Sequence, residues 1–366
     1  MNRRDLLRAA AAATAAIPAG AIPNQTRFDL DIRRLNLRHK WTTVMSSSDY
    51  RDVIYTSYTR DGVTGHGEGA PIVRYQEDAK SGLRALERER ARVMSSNPWE
   101  FEKLMALMFH DINYAYAALS AMDIALMDWV GQKLGIPLYR YFGLDPKDAP
   151  ITTFSIGIDD PDKTQDKVRE AAQYPVLKIK VGLDSDEATI AAVRAVTNKP
   201  LRVDANEGWK DKNVALKKIQ WLATQGVQFV EQPMPADQLD DLRWLHKNSP
   251  LPLIADESVR HASDIPALRD AFSGINVKLD KCGGMMAAYR EIQVAKAFGM
   301  KTMLGCMVSS SCTVTAAAHL SPLVDYADLD GNLLISNDPW RGVTVDGMGK
   351  LVLPDRPGLG LQRTTA

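Results

Sequence analysis

Eight short β-branched runs between residues 150 and 330 each end near a polar or otherwise distinctive side chain. The residues at these ends are Ser155, Lys180, Asp204, Glu231, Asp256, Lys281, Cys306 and Asp328, at intervals of 25, 24, 27, 25, 25, 25 and 22. Six of them are ionisable, and charges repeated at equivalent ends of the runs would contribute little to the stability of a fold. We therefore infer that they converge on one site where the charges do chemistry.

Three of these residues are carboxylates that come from consecutive runs, in the sequences VDAN, VEQP and ADES. Asp204, Glu231 and Asp256 offer oxygen ligands with no histidine or cysteine, which suits a hard divalent cation such as Mg²⁺. The nearby lysines could pair with some of the acids, but three carboxylates still leave room for a metal. The sequence therefore predicts one Mg²⁺ per subunit.

The lysines flank the acids at the ends of the second and sixth runs. Strands two and six of an eight-stranded barrel lie on opposite sides, so Lys180 and Lys281 would face a central substrate from both sides. One neutral lysine could remove a proton while the other, as ammonium, delivers one. Lys178, on the same strand face as Lys180, would lower the pKa of Lys180 and could contact a substrate carboxylate. This predicts proton abstraction next to a carboxylate, with the metal stabilising an enediolate.

A repeated βα unit accounts for the spacing of these residues. Helical stretches separate the eight runs, and a period of about 25 residues fits such a repeat. Eight parallel strands predict a closed (β/α)8 barrel over residues 136–335. An open doubly wound sheet is the alternative, but it would not require eight units, and no G-x-G-x-x-G turn follows the first strand.

The rest of the chain predicts a second, α+β domain. Residues 27–75 alternate apolar and polar side chains around an Asp61-Gly62 turn, which is typical of a hairpin. Residues 77–135 have apolar side chains at helical spacing and end at Gly135, a C-cap position. We expect this domain to span residues 25–135, and the strand-like tail of residues 336–366 to pack back on it.

The N-terminus predicts an export signal over residues 1–24. Arg3-Arg4 precedes an alanine-rich run that carries no acid after Asp5, a layout typical of the twin-arginine route to the periplasm. The run is too short to span a bilayer, which takes roughly 20 apolar residues. An alanine-rich helical or disordered tail is the alternative. No cysteine follows the run, so we expect no lipid anchor and no membrane anchor.

The composition of the 366-residue chain excludes several classes of partner and site. Forty-five basic and 45 acidic residues give no net charge, which gives no support for nucleic acid or an anionic membrane as the main partner. Three cysteines late in the chain do not form a disulfide framework, and the six histidines show no zinc-binding spacing. The sequence does not decide whether the chain forms a homo-oligomer.

Taken together, these motifs resemble the enolase superfamily, in its muconate-lactonising subgroup. The matching pieces are KIK at 178–180, DANEGW at 204–209, EQP at 231–233, ADES at 255–258, KLDKCGG at 278–284 and the helical stretch at 121–143. The resemblance implies a modified (β/α)8 TIM barrel with an α+β capping domain formed by both termini. It also implies that Asp204, Glu231 and Asp256 bind Mg²⁺, and that Lys180 and Lys281 are the acid/base residues.

The eighth run narrows the resemblance to the dipeptide epimerases. ADLDG places Asp328 and Asp330 two apart, and in those enzymes an Asp-x-Asp binds the α-ammonium group of the substrate; two carboxylates suit that group physically. Ser155 is a further candidate substrate-binding residue. The resemblance implies two-lysine epimerisation of the C-terminal residue of a dipeptide such as L-Ala-D/L-Glu, which an exported enzyme could obtain from murein.

One departure concerns the substrate side chain. Members that act on Ala-Glu commonly carry an arginine in the first capping loop, where this chain has Ser46 or Ser47. Arg51 or Arg74 could substitute for it.

Alternatives remain in three classes. An N-acylamino acid racemase, an o-succinylbenzoate synthase or a muconate cycloisomerase would share the chemistry, but their substrates lack a free ammonium. A Schiff-base aldolase would use one lysine and has no need of three acids. An exported peptide-binding protein that has lost catalysis would need neither the two lysines nor the three acids.

Overall fold

A computed structural model describes residues 26–364 of the chain. The predicted export signal at residues 1–24 lies outside the described residues. Among the described helices, none is both long and apolar enough to cross a membrane.

A three-stranded antiparallel sheet and three helices form the first, capping layer. The strands are β1 (Arg27–Thr42), β2 (Ser47–Arg60) and β3 (Val63–Gly69), in the order β1-β2-β3. The helices are α1 (Ala79–Ser95), α2 (Phe101–Asp111) and α3 (Tyr116–Leu134). Asp61 and Gly62 both have positive φ, at 52° and 75°, and form the predicted hairpin turn. Gly135 ends α3 in the left-handed conformation, as predicted.

Glycines on one face of β3 allow α3 to pack against the sheet backbone. A Cβ at Gly67 would lie 1.9 Å from the carbonyl oxygen of Ala121, and one at Gly69 would lie 1.8 Å from that of Ala117. Glycines two positions apart on the strand therefore face alanines four positions apart on the helix, and both are small enough for the backbones to approach closely. This contact fixes the sheet on the helix that leads into the barrel.

Eight parallel strands form the second layer, a barrel. They are β4 (Phe154–Ile156), β5 (Leu177–Lys180), β6 (Leu201–Asp204), β7 (Val227–Glu231), β8 (Leu253–Ala255), β9 (Gly274–Val277), β10 (Lys301–Gly305) and β11 (Tyr326–Asp328). Each strand pairs in parallel with its neighbour in sequence, and a bridge between Thr152 and Ala327 joins the first strand to the last. The closed barrel confirms the predicted fold class and excludes the open doubly wound sheet.

Helices of unequal length connect the barrel strands. They are α4 (Leu138–Tyr141), which precedes the barrel, then α5 (Pro161–Glu170), α6 (Asp186–Arg194), α7 (Lys212–Thr224), α8 (Leu239–Asn248), α9 (Ile265–Leu268), α10 (Leu279–Cys282), α11 (Met285–Ala297) and α12 (Ser311–Leu320). Single 3-10 turns occur at Val73–Tyr75, Pro98–Glu100, Pro146–Asp148 and Ser321–Leu323. The helix between β8 and β9 is the one-turn α9, and after β9 the one-turn α10 is inserted before the longer α11.

The C-terminal segment runs along the capping layer. Its short strands are β12 (Trp340–Arg341), β13 (Thr344–Val345), β14 (Leu351–Val352) and β15 (Gln362–Arg363). The backbone N–H of Ser336 donates to the carbonyl of Asn36 in β1, and that of Leu359 donates to Asp128 in α3. The exact boundaries between the predicted domains stay predictions.

Candidate active site

The ends of three consecutive barrel strands bring three carboxylates together. Asp204 and Glu231 are the last residues of β6 and β7, and Asp256 directly follows β8. One oxygen from each of the three lies within 4.8 Å of the others, and all three side chains are buried. The structure thus assembles the predicted metal ligands from residues that are up to 52 positions apart.

The donor chemistry of this group fits Mg²⁺. Glu231 accepts a hydrogen bond from Asn276 on Oε1, but its buried Oε2 has no hydrogen-bond partner among the described residues. Burial, and then the charge of Asp204, raises the pKa of Glu231 to about 7. Burial alone would raise the pKa of Asp204 too, but Lys180 and Lys178 hold it below its usual value. Crowded carboxylate oxygens, among them an Oε2 of Glu231 whose close neighbour is the Lys178 ammonium at 2.8 Å, are the kind of ligands that a hard cation satisfies.

Lys178 lies among carboxylates, so the pairing of lysines with acids that the sequence left open does occur here. Its side chain is 1% exposed, and its Nζ lies 2.7 Å from Asp328, 2.8 Å from Glu231 and 3.2 Å from Asp204. Burial disfavours this ammonium, but the three acids outweigh burial and raise the pKa of Lys178 well above its usual value. Lys178 is therefore not a bare positive charge beside Lys180, because three negative groups already surround it.

Lys180, the last residue of β5, faces the cleft from one side of the acids. Its Nζ donates to Oδ2 of Asp204 at 2.6 Å and to Oδ1 of Asn206 at 3.1 Å. Its side chain is 9% exposed and lines the cleft. The structure therefore places it where the sequence predicted an acid/base residue.

The sixth strand ends earlier than the 25-residue period predicts. β9 stops at Val277, so Lys281 lies in the one-turn helix α10 and not at a strand end. Its ammonium donates to Oδ1 of Asp256 at 2.5 Å, to the carbonyl of Asp256 at 2.6 Å and to that of Asn276 at 3.0 Å. Since an ammonium has three donors, Lys281 has none left for a substrate.

Lys278 is the residue that sequence reasoning missed. It directly follows β9 on the same alternating face as Asn276, lines the cleft, and donates to Oδ2 of Asp256 at 2.8 Å. Burial lowers the pKa of Lys278, but Asp256 more than compensates and raises it overall. The signal that could have found it is its place immediately after the β-branched run, ahead of the residues that form α10.

The end of the eighth strand brings Asp328 and Asp330 beside Thr153 and Ser155 of the first. Asp328 accepts hydrogen bonds from the hydroxyls of Thr153 and Ser155 on Oδ1, and Asp330 accepts one from the backbone N–H of Ser155. Burial would raise the pKa of Asp328, but Lys178 lowers it to about 2. Burial, and then the charge of Asp328, raises the pKa of Asp330 to about 7. Thr153 was not among the predicted site residues, because a threonine next to a strand carries no distinctive pattern.

Two loops of the capping layer cover the cleft. Its lining there includes Trp41, Thr43, Met45, Ser46, Arg51, Pro71, Ile72, Val73, Arg74 and Tyr75. The Arg74 guanidinium forks onto both oxygens of Glu207, at 2.7 and 3.1 Å. Arg51 has no hydrogen-bond or ion-pair partner within residues 26–364, and burial lowers its pKa. Of the two predicted substitutes, Arg51 is thus the one with free donors.

Comparisons with known proteins agree with this architecture over almost the whole chain. Residues 32–143 match the family described as Mandelate racemase / muconate lactonizing enzyme, N-terminal domain, and residues 163–365 match Enolase C-terminal domain-like. The chain belongs to the enolase superfamily. An L-Ala-D/L-Glu epimerase from Bacteroides thetaiotaomicron is 41% identical over 382 aligned positions, which cover 99% of each chain.

Further relatives within the superfamily are also dipeptide epimerases. An L-Ala-D/L-amino acid epimerase from Pedosphaera parvula is 46% identical, over 85% of this chain and 92% of that one. The crystal structure of a dipeptide epimerase from Enterococcus faecalis, complexed with Mg and L-Leu-L-Tyr, matches with a TM-score of 0.87 and 31% identity, over 92% and 99% of the chains. The resemblance predicted from the motifs is confirmed, and with it the class of isomerase.

Proposed function

We propose that this enzyme inverts the α-carbon of the C-terminal residue of a dipeptide, with an acidic side chain preferred at that residue. The observation that carries the proposal is a buried pair of acids, Asp328 and Asp330, next to the three-acid group and two lysines of one cleft. Asp204, Glu231 and Asp256 would hold one Mg²⁺. When bound, that cation would offset the negative charge that develops on the substrate carboxylate.

Two lysines on opposite sides of the acids would move the proton. Lys180 contacts Asp204 on one side, and Lys278 contacts Asp256 on the other. For one epimer, neutral Lys180 would take the α-proton while the Lys278 ammonium returns a proton to the opposite face; the other epimer uses the reverse assignment. The acid/base role predicted for Lys281 therefore passes to Lys278 in this proposal.

Asp328 and Asp330 favour a dipeptide with a free ammonium over the substrates of related enzymes that lack one. A free α-ammonium would find an acceptor in the carboxylate of Asp330, whose hydrogen bonds within residues 26–364 come from Ser155 alone. N-acylated amino acids and succinylbenzoate precursors carry no such ammonium.

Incubating a dipeptide library with the enzyme and Mg²⁺ in D2O tests the proposal, since turnover adds one mass unit at the C-terminal α-carbon. No gain of mass across the library, for folded protein that binds Mg²⁺, would overturn it.

Arg51 is expected to set the preference for an acidic side chain. Arg51→Met should lower kcat/KM for L-Ala-L-Glu by roughly ten- to a hundredfold, because a hydrogen bond to a charged group contributes about 1.5–3 kcal/mol. The same variant should act on L-Ala-L-Gln with nearly unchanged kcat/KM. Steady-state kinetics with both dipeptides measure the difference.

Arg74→Met is the matched control for Arg51, because its guanidinium is already bound to Glu207. It should leave the ratio of the two kcat/KM values close to wild type.

A hydrophobic dipeptide is the second candidate substrate, since Trp41, Met45 and Ile72 also line the cleft and the Enterococcus relative was solved with L-Leu-L-Tyr. Faster turnover of L-Ala-L-Leu than of L-Ala-L-Glu by the wild type would favour it.

The acid at Asp330 predicts a narrow pH range for substrate binding. Its pKa of about 7 means that the carboxyl becomes neutral as the pH falls below 7. The α-amino group of the substrate loses its charge above roughly pH 8. KM should therefore be lowest between these values and rise by about tenfold at pH 6. Asp330→Asn should have a high KM that stays flat from pH 6 to 7; a wild-type KM equally flat there would contradict the assignment.

The enzyme would act outside the cytoplasm, on dipeptides released from murein. The twin arginines and alanine-rich run at residues 1–24 support this proposal. Changing Arg3 and Arg4 to lysine should shift the protein from the periplasmic to the cytoplasmic fraction on immunoblots, without altering the activity of the mature enzyme. Equal periplasmic amounts of both forms would count against the twin-arginine route.

A further inference from the structure

Lys178 lies between the metal group, which is Asp204, Glu231 and Asp256, and the ammonium receptor, which is Asp328 and Asp330. Its Nζ contacts Asp204 and Glu231, which belong to the metal group, and Asp328, which belongs to the ammonium receptor. The contacts at 2.7 and 2.8 Å are to Asp328 and Glu231, so one ammonium is shared between the two groups. With 1% of the side chain exposed, solvent does not screen these interactions.

Lys178 contacts an oxygen on each of two carboxylates of the proposed metal site, Asp204 and Glu231. Oε2 of Glu231 has no hydrogen-bond partner among the described residues, yet it lies 2.8 Å from the ammonium. Oδ2 of Asp204 is likewise 3.2 Å from it. A divalent cation on these oxygens would be repelled by Lys178, and Asp328 is the remaining carboxylate within reach of the ammonium.

We infer that Lys178 is an internal counter-cation that competes with Mg²⁺ for Asp204 and Glu231, and that Asp328 sets the strength of that competition by drawing the ammonium away. Lys178 is thus a positioning residue: its charge limits how tightly the metal binds. Because Asp328 also belongs to the ammonium receptor, the affinity for Mg²⁺ depends on a residue that is not a metal ligand. The inference rests on the metal site of the proposed function.

Calorimetric titration of the metal-stripped enzyme with Mg²⁺ alone tests this inference. Lys178→Met should lower the dissociation constant for Mg²⁺ by about tenfold or more, because a nearby like charge is gone. It should also lower the Tm without Mg²⁺ and enlarge the rise in Tm on adding it. Lys178→Arg keeps the charge and should restore a dissociation constant close to wild type.

A double-mutant cycle separates this link from a general electrostatic effect. Asp328→Asn alone should weaken Mg²⁺ binding several-fold, but it should have little effect in the Lys178→Met background. An effect of equal size in both backgrounds would overturn the inference, as would unchanged affinity in Lys178→Met. If Lys178→Met does not fold, a dissociation constant for Asp328→Asn equal to wild type also overturns it. Wild-type protein that binds no Mg²⁺ would instead refute the metal site of the proposed function.

Discussion

Lys278→Ala is expected to reduce epimerisation by roughly a thousandfold, within the range that general acid–base catalysis contributes. The variant removes the lysine that directly follows β9, whose one hydrogen-bond acceptor in the described part of the chain is Asp256. Raising the Mg²⁺ concentration should not restore activity, because the lost group moves a proton and does not bind the metal. The measurement is conversion of L-Ala-L-Glu at saturating Mg²⁺, followed by chiral chromatography.

Lys281→Met is the control, and a different result is expected from it. The three hydrogen bonds of Lys281 hold Asp256 and the end of β9 in place, so its loss should lower the Tm. It should also weaken Mg²⁺ binding, because the loss of the orientation of Asp256 outweighs the removal of a positive charge. Activity should recover largely at high Mg²⁺. Should folded Lys281→Met stay inactive at saturating Mg²⁺ while Lys278→Ala remains active, the acid/base role would return to Lys281.

Isotope exchange gives a sharper test of two lysines on opposite faces. Without Lys278, Lys180 can still remove and return the α-proton on its own face, so one epimer should exchange that proton in D2O without inverting. Lys180→Ala should do the same for the opposite epimer. Exchange of both epimers by either single variant would show that one residue serves both faces.

The misplacement of Lys281 shows what a repeat in sequence can and cannot specify. The 25-residue period identified the barrel, because parallel strands need crossover connections of similar length. It could not locate the end of β9, because α10 inserts one helical turn before the main helix of that unit. A lysine four positions beyond Val277 thus matched the period while lying on the wrong element.

The positions of the three acids were predictable, whereas the pairing of Lys178 with Asp328 was not. Asp204, Glu231 and Asp256 end or follow buried strands, so local patterns determine their position. Lys178 pairs with Asp328, which is 150 residues away, and this contact exists only after the barrel closes between β4 and β11. Arg51 is a similar case, since its free guanidinium over the cleft depends on how the capping sheet sits on the barrel.

Glu231→Gln is expected to abolish the response of the enzyme to Mg²⁺. The amide would replace a charged carboxylate, and if its NH2 took the position of Oε2 it would face the Lys178 ammonium, donor against donor. We expect an activity loss of about a thousandfold or more, because charge stabilisation near the reacting carboxylate is commonly the largest single contribution to catalysis. The Tm of the variant should not rise on adding Mg²⁺, which thermal unfolding measures independently of activity.

Glu291→Gln is the matched control for this change. Glu291 is also buried, and burial raises its pKa to about 8 despite the opposing charge of Lys281, so its carboxyl is mostly neutral at pH 7. Replacing a neutral carboxyl by an amide of the same shape should leave both activity and the Mg²⁺-dependent rise in Tm close to wild type. Should Glu231→Gln keep that rise while Glu291→Gln loses it, the three strand-end acids would not be the metal site. The different outcomes expected for two buried glutamates follow from charge, since Glu231 lies beside Asp204 and Asp256 in the proposed metal site and Glu291 does not.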